Sequence, residues 1–305
     1  TETPAPSPFE AGPRGPVGLK PFGFALMTWN CFGTVQNVGA FLNGMSPPYP
    51  MRFDSGDLVG ACTLVELLCV QELLTPRAID FIRSLVGEGM DRVYVQDLAL
   101  RLGYVENHGL GFATGRVEVL AQQPMYFKTT AAGADTLARK GAWHLRVRLP
   151  RGPVLDVVNT HLQSSSAPEA RRARAAQLDE LVAFCERVSA PDRALVVCGD
   201  LNVPGTCKNR NVPAEELGEY VRLCETLGQL GLRDVVTESP FPTIDPARNA
   251  LLKTLDATSP TERLDYVFFR SESPETTHGL RVRRVRIALD APLVDMRSFI
   301  LDTDP

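Results

Sequence analysis

Five short segments carry residues that could do chemistry: Asn30 in "TWN", Glu72 in "VQE", His161 in "NTH", Asp200 with Asn202 in "GDLN", and Asp265 in "RLDYVF". The first four sit where apolar, strand-like runs end, and Asp265 lies inside one. Burying an ionised carboxylate without a partner costs several kcal/mol. The run "ALVVCGD" must therefore deliver Asp200 to a place where water, a metal ion or a substrate meets it. Carboxylate and amide oxygens are hard ligands, suited to Mg²⁺ or Ca²⁺ and poor for softer metals. A neutral imidazole exchanges protons near pH 7. Together these groups suit hydrolysis of a phosphate ester, in which a cation stabilises charge on the phosphoryl and leaving-group oxygens and a base activates water. Singly, each has a plainer reading: Asn30 as a turn residue, Glu72 as a helix cap, His161 as a satisfied core histidine, Asp200 and Asn202 as an Asx turn.

The pattern around these segments predicts what must hold them. Strands are expected at Gly23–Cys31, at "LLCVQEL", at "DRVYVQDL", at "ALVVCGD" and at "RLDYVFFR". A helix with Asp54 or Ser55 as N-cap fits "DSGDLVGACTLVE". Another fits "TPRAIDFIRSLVG", with Thr75 as N-cap, Pro76 at its first position and a stripe of Ile79, Ile82 and Leu85 or Val86. Between Leu110 and Asn159 lie five short strand-like pieces: "GLGFATG", "VEVLAQ", "PMYFKTT", "AWHLRVRLP" and "PVLDVVNT". The stretch "PEARRARAAQLDELVAFCERV" is helical, with Leu178, Leu181, Val182, Cys185 and Val188 on one face. A further helix fits "AEELGEYVRLCETLGQLG" and a last strand fits "LRVRRVRIAL". Helices alternating with strands at both ends, around a strand-rich middle, predict two packed sheets with helices outside.

The totals restrict the alternatives. The chain has 305 residues and a net charge of −4, which does not favour tight non-specific DNA binding. No run of about 18 apolar residues exists to span a bilayer. The seven cysteines form no CxxC pair, and Cys31, Cys69 and Cys198 read as buried hydrophobes rather than metal ligands. Residues 1–20 are Pro- and Gly-rich and read as a tail or linker. Cysteine usage points to the cytoplasm and the tail to a secreted or cell-envelope protein, so both compartments stay open.

"TWN", "VQE", "NTHLQ", "GDLN" and "RLDYVF", in this order and spacing, resemble the endonuclease/exonuclease/phosphatase superfamily from about Gly23 to Ile287. Within it, "ARKGAWHLRV", "RAAQLDEL", "GEY" after "GDLNV", and "PTIDPARNALLK" before "ERLDYVF" resemble segments of sphingomyelinases, with Ile244 where an aromatic residue is expected. The resemblance implies an α+β, four-layer α/β/β/α sandwich of two mostly antiparallel, mixed sheets, DNase I-like, over residues 21–305. It implies a phosphodiesterase dependent on Mg²⁺, with Mn²⁺ or Ca²⁺ as alternatives. Glu72 would be the metal ligand and Asn30 its assistant. Asp200 and Asn202 would place water and phosphate, His161 would donate to a phosphoryl oxygen, and Asp265 would orient a later histidine.

That later histidine, part of a Ser-Asp-His motif, does not occur in "LVDMRSFILDTDP". Of the four histidines, 108, 144, 161 and 278, only His278 follows Asp265, in what reads as a hairpin loop. The expectation is that the natural protein continues beyond Pro305. Lys128 and Lys140 are candidate phosphate contacts, with solvated surface the plainer reading for Lys128. Arg171, Arg172 and Arg174 read as a solvated face, Trp29 and Trp143 as core, and "NGMSPPYPMRF" as a surface loop or a lipid-facing one. The expected activity is hydrolysis of a phospholipid such as sphingomyelin to ceramide and phosphocholine, by a monomer at a membrane surface. The rivals are a nuclease or inositol-phosphate phosphatase using the same site, and a silent domain that binds lipid or protein.

Overall fold

A computed structural model describes residues 24–33, 56–97, 100–101, 104–105, 107–131, 139–150, 152–205, 214–236, 242–245, 261–271 and 280–282. In chain order its first elements are β1 (Leu26–Gly33), α1 (Gly56–Thr63), β2 (Leu67–Leu73), α2 (Pro76–Ser84), β3 (Arg92–Val95), β4 (Leu100–Arg101), β5 (Tyr104–Val105) and β6 (Gly111–Thr114). There follow β7 (Glu118–Tyr126), β8 (Gly141–Arg148), β9 (Val154–His161), α3 (Pro168–Val188), β10 (Ala194–Asp200), α4 (Ala214–Gly228), β11 (Arg233–Asp234) and β12 (Asp265–Arg270).

Strand alternation sorts these elements into layers. On β10, Val196 and Cys198 face one way and Leu195 and Val197 the other, and all four are buried. A strand buried on both faces has to lie inside a layered fold. The inward set meets Leu26, Leu67, Cys69 and Phe112 of a second sheet, together with Trp143, Leu145 and Val157. The outward set meets Leu178, Leu181 and Phe184 of α3 and Leu223 and Leu227 of α4. On the far side, Leu68 and Val70 of β2 pack with Leu58 and Cys62 of α1 and Ile79, Phe81 and Ile82 of α2. The result is α/β/β/α. The smaller sheet runs β1-β2-β6-β3 and the larger β11-β12-β10-β9-β8-β7, while β4 and β5 pair apart. β1–β2 and β9–β10 are parallel and the other pairs antiparallel.

Helix α2 starts as its sequence predicts. Thr75 accepts a hydrogen bond from Ala78 N and Pro76 occupies the first turn. Leu85, not Val86, completes the buried stripe, and Val86 is half exposed. "VEVLAQ" and "PMYFKTT" do not form separate strands. They join in β7, which tolerates Pro124 because it is an edge strand with β8 as its partner. Residues 1–20, Asp54, Ser55, all of "NGMSPPYPMRF" and residues 283–289 of the last expected strand lie outside the described residues, although Leu280 and Val282 pack on the inter-sheet core. Trp29 packs edge-on against Phe81 and Trp143 against Phe112, the core placements expected of both.

Candidate active site

The larger sheet presents three chemistry-bearing residues in one row. Asp200 on β10 is in register with His161 on β9 and with Asp265 on β12. Each belongs to the inward-facing set of its strand, Asp200 with Cys198, His161 with Val157 and Asp265 with Val267. The row depends on Gly199. Its φ is 138°, and a Cβ there would stand 1.9 Å from Thr160 O, so no side chain fits where Gly199 lies beside Thr160 of β9. After the row the chain turns sharply. Asp200 Oδ1 accepts from Asn202 N at 2.9 Å, with Asn202 at φ 51°. The Asx-turn reading therefore holds, and the same carboxylate still serves the cleft through its other oxygen.

The smaller sheet supplies Asn30 and Glu72. On β2, Leu67, Cys69 and Gln71 face the larger sheet, while Leu68 and Val70 face the helices. Strict alternation would send Glu72 outward with Val70. Instead the register slips by one residue between Asn30 and Gly33, and Glu72 takes φ 62°. Left-handed backbone at a residue other than glycine costs about 1–3 kcal/mol and clusters at functional sites. Here it brings Glu72 to Asn30: Asn30 Nδ2 donates to Glu72 Oε1 at 3.1 Å and to Asp200 Oδ2 at 2.8 Å. One amide thus joins carboxylates from the two sheets.

His161 completes the group, with Nε2 3.7 Å from Asp200 Oδ2 and 3.9 Å from Glu72 Oε1. Lys140 is buried against it, Nζ lying 2.9 Å from Nε2 and 3.2 Å from Nδ1. Lys140 is thus the candidate lysine that reaches the cleft. Lys128 is exposed and reaches Glu180 through its backbone. Asp265 is held by its backbone, Asp265 N donating to Thr243 Oγ1 at 3.2 Å, while its Oδ1 is enclosed with no hydrogen-bond partner among the described residues. Burial, then the negative charge of Asp200 and of Glu72, raise its carboxyl to about 8, against the pull of Thr243 and Arg263. Asn202 turns its amide elsewhere, donating to Leu162 O at 3.0 Å, and so braces the loop after His161.

That loop has further supports that the sequence reading missed. Arg174 is buried, not solvated. It donates to Gln163 O and Ser165 O and makes a two-pronged pair with Glu219 at 2.6 and 3.0 Å. Gln177 accepts from Gln163 N and donates to Thr129 O. Arg172 is exposed as expected, and Arg171 pairs with Glu215. Tyr220 of "GEY" donates to Asp234, which Arg263 grips with one nitrogen on both oxygens. Among the described histidines, His108 and His144 take part in other contacts, and His278 lies outside the described residues. Cys31, Cys69 and Cys198 are buried, as expected of small hydrophobes.

Three carboxylates drawn together and a carboxyl raised to about 8 by burial and by its acidic neighbours make a cleft that favours added positive charge. The donor set is oxygen-rich and fits a hard cation. Among the described residues, no three of His, Cys, Asp and Glu gather into a closed metal cage.

The profile of the Endonuclease/Exonuclease/phosphatase family matches residues 27–285. The chain belongs to that family. No curated protein matches the sequence. Among solved structures, the chain is similar to a beta toxin variant from Staphylococcus aureus with bound magnesium ions, at 18% identity and TM-score 0.64, covering 93% of this chain and 98% of that one. It is similar to sphingomyelinase C from Streptomyces griseocarneus, at 18% and 0.61, covering 92% and 98%. It is also similar to D. rerio TDP2 complexed with a single-strand DNA product, at 17% and 0.56, covering 93% and 99%. At these identities the likeness establishes the DNase I-like fold of this family member.

Proposed function

We propose that the protein is a divalent-metal-dependent phosphodiesterase that cleaves a phospholipid such as sphingomyelin, releasing ceramide and phosphocholine. The observation that carries this reading is the meeting of Asn30, Glu72, Asp200 and His161 from two sheets, with Asp265 next in the row. Glu72, assisted by Asn30, would hold Mg²⁺, with Mn²⁺ or Ca²⁺ as substitutes. Bound there, the cation supplies positive charge to the phosphoryl and leaving-group oxygens. His161 donates to a phosphoryl oxygen, and Lys140 beside it adds a fixed positive charge where negative charge builds. Asp200 accepts from the attacking water, whose oxygen bonds to phosphorus as the phosphorus–alkoxide bond breaks. Asp265 Oδ1, enclosed and without a described donor, suits the N–H of a histidine base.

The choice of lipid rests on the sphingomyelinase-like segments "ARKGAWHLRV", "RAAQ" and "GEY" and on the similarity to sphingomyelinase C. No helix among the described residues is long and apolar enough to cross a membrane. Similarity to a protein solved with a DNA product supports a second reading, a nuclease on the same site.

The test is an assay of the purified protein with Mg²⁺ on sphingomyelin vesicles, plasmid DNA and phosphoinositides. Phosphocholine release that stops with chelator and in Glu72→Ala is the expected result. DNA nicking with inert sphingomyelin moves the site to the second reading, and binding without turnover on all three substrates overturns both.

A further inference from the structure

Beneath the cleft, between the sheets, lies a polar layer that the proposed reaction does not use. Asn159 of β9 donates through Nδ2 to Val70 O and Gly111 O, at 2.9 and 3.1 Å. Both its amide protons are committed to carbonyls, which fixes its orientation. Gln71 must therefore present Nε2 to Asn159 Oδ1, at 2.6 Å, and its other amide proton goes to Thr28 Oγ1 at 3.0 Å. This leaves Gln71 Oε1 as a fully buried acceptor with no partner among the described residues.

Two donors share that condition. His108 accepts from Leu110 N through Nδ1 at 3.2 Å, so the neutral ring carries its proton on Nε2. Burial holds the imidazole neutral, lowering it to about 3. Trp143 Nε1 can only donate. Neither Nε2 of His108 nor Nε1 of Trp143 has a described partner, and both residues are more than nine-tenths buried. The three groups belong to one neighbourhood. Trp143 is the register partner of Asn159, the His108 ring lies 5.3 Å from the Trp143 ring, and Gly111, which receives the Asn159 amide, follows His108 by three residues.

An orphaned buried polar atom costs about 1–3 kcal/mol. Three in one layer, two donors and one acceptor, match one small guest. We infer that a single enclosed water sits between Gln71 Oε1, His108 Nε2 and Trp143 Nε1, accepting from the two rings and donating to the amide. Buried waters make about three hydrogen bonds of this kind. An anion would suit the two donors and be repelled by the Gln71 oxygen. Because Gln71 immediately precedes Glu72, the guest steadies the backbone that holds the strained carboxylate.

The inference is independent of the reaction proposed above. A high-resolution crystal structure of the unaltered protein is expected to show one ordered water within hydrogen-bond distance of all three atoms. A dry space there, or a protein group in that position, overturns it. Thermal unfolding of Gln71→Leu, His108→Phe and the double variant gives a second measure that needs no crystal. Gln71→Leu and His108→Phe each remove one of the guest's three partners, so a shared guest makes their losses overlap. The double variant is expected to lose a few degrees less than the sum of the single losses, and strict additivity overturns the inference. If Gln71→Leu does not fold, the crystal structure still decides.

Discussion

Two buried carboxylates in the larger sheet behave in opposite ways. Asp156, near the start of β9, is fully buried and receives His144 Nε2 at 2.8 Å, Arg146 Nε at 2.7 Å and Arg193 Nη1 at 3.3 Å. Burial pushes its carboxyl up, but the bonds from His144 and Arg146 outweigh that, and it falls to about 2. Asp265, at the start of β12, lies at the other end of the sheet, with two carboxylates nearby and one oxygen without a described donor, and rises to about 8. One end is arranged so that each charge has its partner. The other gathers like charges beside strained backbone at Glu72 and Asn202, and makes sense as a place where a cation from outside the chain is welcome. Paired charges hold one end of the sheet together, and crowded like charges mark where it acts.

The contrast predicts that mutations at the two ends separate stability from activity. Asp156→Ala leaves Arg146 and His144 facing an empty acceptor in the interior, and should cost about 3–5 kcal/mol in urea unfolding. Turnover per folded molecule should be nearly unchanged. Glu72→Gln should do the reverse. Hydrolysis should drop about 10²–10³-fold or more, the scale seen when one electrostatic contributor is removed. Its melting temperature should hold or rise, because a like charge is removed from beside Asp200 and Asp265. If Glu72→Gln unfolds the protein as Asp156→Ala does, the distinction between the two ends is lost.

The pH dependence should also have opposite signs. A carboxyl lowered in the fold contributes stability above its unfolded value near 4, and loses it as pH falls toward 2, so Asp156 should help drive acid unfolding. That contribution is about 2–3 kcal/mol at neutral pH. Asp265 is raised, so the metal-free fold holds a proton that the unfolded chain has released. Its contribution is full below about pH 4 and fades as pH climbs through about 8. A divalent cation reverses this by favouring the ionised form. The rise in melting temperature on adding Mg²⁺ should therefore grow from pH 6 to pH 8.5. A rise that is flat across that range would show that Asp265 does not sense the cation.

Much of the active end could be read from sequence because strands deliver polar groups at their ends, and five such groups of compatible chemistry are hard to explain otherwise. What could not be read depends on partners far away in the chain. The period-2 pattern sends Glu72 outward, and only the slipped register between β1 and β2 turns it inward. The run of arginines from 171 to 174 looks solvated because Glu219, which buries Arg174, lies 45 residues on. Gln71 and Asn159 did leave a signal. Each is a polar residue at an inward position of an apolar strand, and such a residue needs a buried partner. Their partnership spans 88 residues, and the sequence does not name it. Thr243 is a similar case, since its hydroxyl accepts from Leu264 N and Asp265 N across more than 20 residues.

The smallest expected effect tests the criterion itself. Arg171 and Arg174 lie one helical turn apart on α3 and both pair with carboxylates of α4. Arg171 reaches Glu215, which is largely exposed, and such pairs contribute about 0–1 kcal/mol because water and salt screen them. Arg171→Ala should shift unfolding by less than about 1 kcal/mol, lose even that in high salt, and leave hydrolysis alone. Arg174 has the same charge but is buried, and it holds the carbonyls of Gln163 and Ser165 just after His161. Its removal should cost both stability and turnover. Equal losses for the two arginines would mean that charge, rather than enclosure with a full set of partners, decides which groups in this sandwich matter.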